Sequence, residues 1–352
     1  MKKRVTIIAA FLWLWPGLVS AQGSIRAVYG NYSKNIVEGI SELLKTTEVN
    51  AVVLDIKHDS GKILLETRHK AVITLFKSEN AYVICRIVTF KDSTLSKTRE
   101  GYRYAIKSRS GGHLWTDYKG NNWLDPAAED IYPHIVKIAQ DGVRAGCDEI
   151  NFDYIRFPSS LDSDLGDAEF PYWRAAQMGK CQTLKRFIDY LSKHLTGIPV
   201  SIDVFGYTFI YGNEPGIGQC LGDFARAGFI LAPMLYPTHF SCNDKNFHVP
   251  DPSLAPYEVY AESLRLGTAY LRNLGVEPKV RPWLQAFDTY NICRYSKKMR
   301  CPKKCGEEKI FYNRVNFRAQ IYGAESLQDP AIVGWMSWNP DGKYSIKLFN
   351  SR

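Results

Sequence analysis

The sequence predicts an α/β fold, a single (β/α)₈ barrel, from three observations. Eight short apolar, β-branched runs recur along the chain. Amphipathic helical segments lie between several of them. The runs end in polar or aromatic residues, as barrel strands do at the face that carries chemistry. An open doubly wound sheet is the competing arrangement, but no phosphate-binding first turn supports it. Gly216 to Gly222 has the wrong glycine spacing and follows no strand closely, and no G-x-x-x-x-G-K-[ST] occurs.

The eight runs are 25–30, 51–57, 82–90, 149–157, 200–206, 229–237, 279–287 and 332–340. After the first, residues 33–45 carry Ile36, Ile40, Leu43 and Leu44 at helical spacing. Asp125-Pro126 reads as an N-cap with proline at the first helical position, opening a helix toward Arg144. Residues 177–195 and 256–274 are further helices. Two intervals stand out, one polar and aromatic (91–123) and one basic and cysteine-bearing (290–308). Both follow strand ends and should overhang the barrel mouth.

At the N-terminus, Lys2-Lys3-Arg4 precedes the apolar stretch Val5–Trp15. Pro16-Gly17 breaks any helix, and Val19-Ser20-Ala21 supplies small residues for a signal peptidase. Residues 1–21 are therefore expected to be a signal peptide, with 22–352 the exported barrel, periplasmic or secreted. An uncleaved anchor is the alternative, for which the apolar run is short. With 45% hydrophobic and 13% aromatic residues in 352, the chain can bury a sizeable core and is not disordered. The formal charge of +9 falls to +6 without Lys2, Lys3 and Arg4, and no basic run marks nucleic acid as the partner. Nor is membrane insertion expected after cleavage.

Export permits disulfides among the eight cysteines. Cys293, Cys301 and Cys305 crowd one stretch and are expected to contain a bridge. Zinc is the rival there, but spacings of eight and four residues without a nearby His suit it poorly. Cys85, inside a hydrophobic strand, reads as a buried thiol. No cofactor and no metal are expected.

Alternate residues of a barrel strand point inward. That rule groups Val53, Asp55 and Lys57; Asn151, Asp153 and Ile155; Ser201, Asp203 and Phe205; and Arg281, Trp283 and Gln285. A carboxylate in an apolar strand is costly unless it is paired or used. Asp153 and Asp203, on neighbouring strands, form the candidate acid/base pair. Simpler roles stand beside this one: an Asp55–Lys57 structural ion pair, an Asp153–Arg156 pair, a loop cap by Asp203. His239, after Tyr236-Pro237, is either a substrate contact or a surface residue. Trp283 and Trp338 are either sugar platforms or core. No H-E-x-x-H and no G-x-S-x-G is present. Two carboxylates with aromatics in the mouth of an exported barrel point to glycoside hydrolysis, and a non-catalytic glycan-binding barrel is the alternative.

Seven segments occur in a fixed order: 50–57 (NAVVLDIK), 86–92 (RIVTFKD), 152–158 (FDYIRFP), 203–207 (DVFGY), 233–237 (PMLYP), 281–285 (RPWLQ) and 338–340 (WNP). Together, over about residues 25–347, they resemble a prokaryotic family of glycoside-hydrolase-like (β/α)₈-barrel proteins. The resemblance implies a glycosidase-type barrel and a nucleophile at Asp153, with Asp203 as acid/base by analogy with other barrels. Asp55, Lys57, Arg86, Asn151, Tyr236, His239, Trp283, Gln285, Trp338 and Asn339 are the expected substrate contacts, and the substrate is a poly- or oligosaccharide. Lys57 and Arg156 are expected to hold the carboxylates ionised. The acid should be the carboxylate without a cation nearby in sequence, which is Asp203.

Overall fold

A computed structural model of the chain describes residues 24–160, 162–212, 216–290 and 309–351. The expected signal segment and the Cys293/Cys301/Cys305 cluster lie outside these residues.

Eight parallel strands close into a barrel. They are β1 (Ile25–Gly30), β2 (Ala51–Lys57), β3 (Tyr82–Val88), β4 (Glu149–Asp153), β5 (Val200–Phe205), β6 (Ile230–Met234), β7 (Lys279–Val280 and Trp283–Gln285) and β8 (Gly334–Trp338). The sheet runs β1 to β8 in sequence order and closes where β8 pairs with β1, Ile25 opposite Gly334. The principal crossover helices are α1 (Lys34–Thr46), α2 (Thr67–Ser78), α3 (Tyr132–Arg144), α4 (Lys180–His194), α5 (Leu221–Arg226), α6 (Pro256–Asn273) and α7 (Arg314–Glu325), and short further helices, Ser93–Ser96, Pro171–Ala176 and Gly206–Tyr211, precede α3, α4 and α5. After β8 the described chain gives only a 3₁₀ turn, Ile346–Leu348.

Strand alternation builds two cores. Ile25, Ala27, Ala51, Val53, Ile84, Ala232, Trp283 and Met336 fill the barrel. The residues between them, such as Val28, Val52, Leu54, Val83 and Ile150, meet the apolar helix faces, for example Ile36, Ile40, Leu43 and Leu44 of α1. Closure at β8 requires a glycine. Gly334 has φ of +124°, and a Cβ there would lie 1.9 Å from the Ile25 carbonyl oxygen. A buried pair lies deep inside the barrel. Arg281 Nη1 donates to both Glu149 carboxylate oxygens (2.7 and 2.9 Å), and the Tyr82 hydroxyl donates to the same carboxylate at 3.2 Å.

Several local expectations change. The expected seventh strand splits at Pro282, which has no N–H to give a ladder. The helix expected from Asp125 begins only at Tyr132, after a 3₁₀ turn at Glu129–Ile131. Asp125 instead accepts from Ala127, Tyr172 and Trp173 N–H groups, tying two loops together. Cys85 is not a free thiol: it is bridged to Cys147, with Cα atoms 5.8 Å apart. A second bridge joins Cys181 to Cys220.

Lys57 is not on the inward face with Asp55. The register with β3 slips between Asp55 and Lys57, so two residues of β2 oppose one of β3 and the side chain turns away. Its ammonium instead pairs with Asp92 at 2.9 Å and donates to the carbonyls of Val88 (2.6 Å), Thr89 and Lys91. Arg156, likewise expected beside Asp153, forms a two-pronged pair with Asp162 (2.7 and 3.0 Å), its guanidinium among the rings of Trp123, Tyr154 and Phe205.

Lys57 and Asp92 are each 1% exposed. Lys57→Met should strand the Asp92 charge and cost about 3–5 kcal/mol, read as a lowered urea midpoint. If the midpoint does not move, the pair is not holding the β3 loop. The Cys85–Cys147 bridge spans 62 residues. Replacing both cysteines by serine should cost about 2–4 kcal/mol, and an unchanged midpoint would show that the bridge does not form in the oxidised protein.

Candidate active site

The inward positions at the C-terminal ends of β2 to β5 converge on one guanidinium. Arg86, in register with Asp55 on one side and Asn151 on the other, reaches from β3 among three carboxylates. Its Nη1 donates to Asp55 Oδ1 at 2.7 Å and its Nη2 to Asp153 Oδ2 at 2.5 Å, while Nε stands 3.8 Å from Asp203 Oδ2. Burial works against the Arg86 charge, but Asp55 and Asp153 more than compensate and hold it protonated well beyond its ordinary range.

The carboxylates have different surroundings. Asp55 also accepts from the Tyr29 hydroxyl at 3.0 Å. Asp153 Oδ1 accepts from the Tyr154 N–H at 2.6 Å, and its carbonyl accepts from Thr89 N–H at 2.8 Å. Tyr154 itself is left-handed, φ +56°, a strained conformation for a bulky residue that ends the strand abruptly at Asp153. Asp203 is 1% exposed and accepts on Oδ1 from Trp283 Nε1 (2.7 Å) and Asn151 Nδ2 (2.9 Å). Burial, reinforced by the Asp153 charge, pushes the Asp203 carboxyl well above the usual carboxylate range, against the pull of Arg86, Asn151 and Trp283.

Aromatic rings from the ends of β6, β7 and β8 form a separate cluster. Tyr236 packs against Trp338 (5.3 Å between centroids), Phe287 (5.7 Å) and His239 (5.1 Å). His239 is solvent-exposed and Trp338 half-buried, whereas Tyr236 is buried. The cluster therefore offers ring surface at the rim, with its polar groups at the edges.

Of the residues singled out from sequence, Asp55, Arg86 and Asp153 form one hydrogen-bonded set and Asn151, Asp203 and Trp283 another, the two meeting through the 3.8 Å Arg86–Asp203 ion pair, and Tyr236, His239 and Trp338 share the ring cluster. Three lie elsewhere. Lys57 is buried against the β3 loop. Gln285 is fully buried and joins Thr238 Oγ1 (3.0 Å) to the Phe287 carbonyl (3.1 Å). Asn339 ties the β8 loop to the Ala286 carbonyl at 2.8 Å. Sequence reasoning missed Tyr29, Phe287 and Asp92. Tyr29 was within reach of the alternation rule, since it shares a face with Ile25 and Ala27. Asp92 was not, because only the β2 bulge brings Lys57 to it.

The chain is similar to several solved structures. A hypothetical protein from Ruminiclostridium thermocellum is 32% identical over half of this chain and 97% of its own, with a TM-score of 0.44. The galactosidase domain of an alpha-galactosidase-sucrose kinase aligns with 93% of the chain at 13% identity and a TM-score of 0.51, and this chain spans only 39% of that protein. A GH18 chitinase from Cycas revoluta, in complex with (GlcNAc)4, aligns over 91% of the chain and 96% of its own at 9% identity and a TM-score of 0.53. At such identities the last two speak to the barrel fold alone. No curated protein matches the sequence. Residues 27–344, nearly the whole described barrel, match the family described as "putative glycosyl hydrolase domain", and the chain belongs to that family.

Proposed function

We propose that the protein is an exported glycoside hydrolase that cleaves a poly- or oligosaccharide, with Asp203 as general acid and Asp153 as the carboxylate that attacks the anomeric carbon or activates water. The observation that carries this reading is the unequal treatment of two carboxyls around one guanidinium. Asp153 is ion-paired with Arg86 at 2.5 Å. Asp203 sits further off at 3.8 Å and is held protonated above the usual carboxylate range, chiefly by burial. A protonated carboxyl beside an ion-paired carboxylate is what glycosidic cleavage requires. The sequence-based assignment named Arg156 as the cation beside Asp153. Arg86 fills that place, and the acid/base order is the same.

The ring cluster of Tyr236, Phe287, Trp338 and His239 suits the apolar face of a sugar ring. Family membership and two disulfides support a carbohydrate substrate and an oxidising compartment. Among the described residues no helix is long and apolar enough to cross a membrane. Residues 1–21 fit the role of an export signal cleaved after Ala21.

A reducing-end screen over a polysaccharide panel tests the reading. Asp153→Asn and Asp203→Asn should each lower turnover of unactivated substrate by about 10²–10⁴-fold. Asp203→Asn should spare aryl glycosides with good leaving groups, which need little protonation. Intact sugar affinity with no reducing ends from wild type would favour a glycan-binding barrel instead.

The pH dependence has a definite sign. Asp203 must be protonated to act as acid, so kcat/KM should fall as pH rises through its raised pKa. Aryl substrates that need no acid should lose that alkaline limb. A limb that persists unchanged in Asp203→Asn would assign the acid to another group.

A further inference from the structure

Resting on the hydrolase reading, we infer that Trp283 and Asn151 are positioning residues that saturate Asp203 Oδ1, so that the reacting proton is carried and delivered by Oδ2 alone. A carboxylate oxygen has two lone pairs in its plane, and both on Oδ1 are taken by N–H donors, Trp283 Nε1 at 2.7 Å and Asn151 Nδ2 at 2.9 Å. The tryptophan is decisive. An indole N–H only donates, so a proton placed on Oδ1 in that direction would meet another hydrogen. The Asn151 amide is oriented in turn by Ser201 Oγ at 3.0 Å.

Oδ2 is left for the proton. Its nearest cation, Arg86 Nε, stands 3.8 Å away, beyond hydrogen-bond range, because Nη1 and Nη2 are committed to Asp55 and Asp153. The backbone is fixed as well: Gln219 Nε2 donates to the Asp203 carbonyl at 3.1 Å while its Oε1 accepts from Phe205 N–H at 2.9 Å. The charged and titratable groups facing Asp203 are Arg86 from β3, Asp153 from β4 and the Tyr236 phenol after β6, and β7 contributes the neutral Trp283.

The proton balance then follows from the geometry. As the bond between the anomeric carbon and the glycosidic oxygen breaks, its electron pair stays on that oxygen, which takes the proton from Oδ2. The resulting carboxylate keeps both N–H bonds on Oδ1, so the negative charge is stabilised without rotation of the group. Where Asp153 has attacked the anomeric carbon, Oδ2 next removes a proton from the water that displaces Asp153 from that carbon, which restores the acid; where Asp153 activates the water, that proton passes to Asp153 and Asp203 is reprotonated from solvent. One water is consumed and Asp203 ends as it began.

Trp283→Phe removes one donor to the charged form and frees Oδ1 to share the proton. The alkaline limb of kcat/KM should move up by about one pH unit, the size expected for one hydrogen bond to an ionised group. Turnover of poor-leaving-group substrates should fall about ten-fold while KM and aryl-glycoside turnover change little. Asn151→Leu, which packs a different strand, should shift the limb in the same direction. Titration of ¹³C-labelled aspartate carboxyls in wild type and both variants reads the same effect without activity. An Asp203 titration unmoved in both folded variants would overturn the positioning role, whatever the activity. Absence of reducing ends from wild type with the shift intact would overturn only the hydrolase reading.

Discussion

One buried guanidinium organises the mouth of this barrel. Arg86 brings Asp55, Asp153 and Asp203 together on three other strands, and its three nitrogens each face a different one. Without that cation the carboxylates would repel one another in a poorly solvated space, and breaking even one buried pair costs about 3–5 kcal/mol. With it, the cluster still carries three acids for one base. The imbalance is relieved if one acid stays neutral, and the carboxyl furthest from the guanidinium, Asp203, is the one whose affinity for a proton is raised. The carboxyl that keeps its proton is thus selected by its place in the cluster.

The rest of the mouth is divided by strand. Strands β2 to β5 contribute charge, and the ends of β6 to β8 contribute rings. Trp283 connects the two halves, because its ring belongs to the barrel core while its N–H reaches Asp203. A sugar has both polar hydroxyls and an apolar face, so a mouth divided in this way complements both.

Much of this was legible in the sequence because a barrel strand is a local object. The eight apolar runs start within a residue or two of the eight strands, and alternation identified Asp55, Asn151, Asp153, Asp203 and Trp283 as sharing the interior. The errors share a cause. Lys57 follows Asp55 by two residues and ought to share its face, but a bulge lies between them. Arg156 is near Asp153 in sequence, yet the left-handed Tyr154 redirects the chain and Arg156 serves Asp162. Cys85 looked like core because its partner, Cys147, is 62 residues away at the entry to β4. Sequence proximity was a poor guide to charge pairing, since partners across a barrel belong to neighbouring strands distant in the chain.

Charge stoichiometry separates the Arg86 cluster from the other buried ion pairs. Glu149–Arg281 and Lys57–Asp92 are buried pairs of one acid and one base, completed by a hydroxyl or by backbone carbonyls. Arg156 and Asp162 match in the same way. Lys91 serves two acids, Asp117 and Asp59, but Asp59 is open to solvent and needs no full compensation. Only around Arg86, among these, do buried acids exceed the cation that holds them. In a matched pair each charge is compensated by its partner, and removing either one strands the other. An excess of acid leaves one carboxyl able to take up and release a proton while the others stay paired. The pairs that balance hold the barrel together, and the carboxyl left over at Arg86 is the one whose charge the fold does not need.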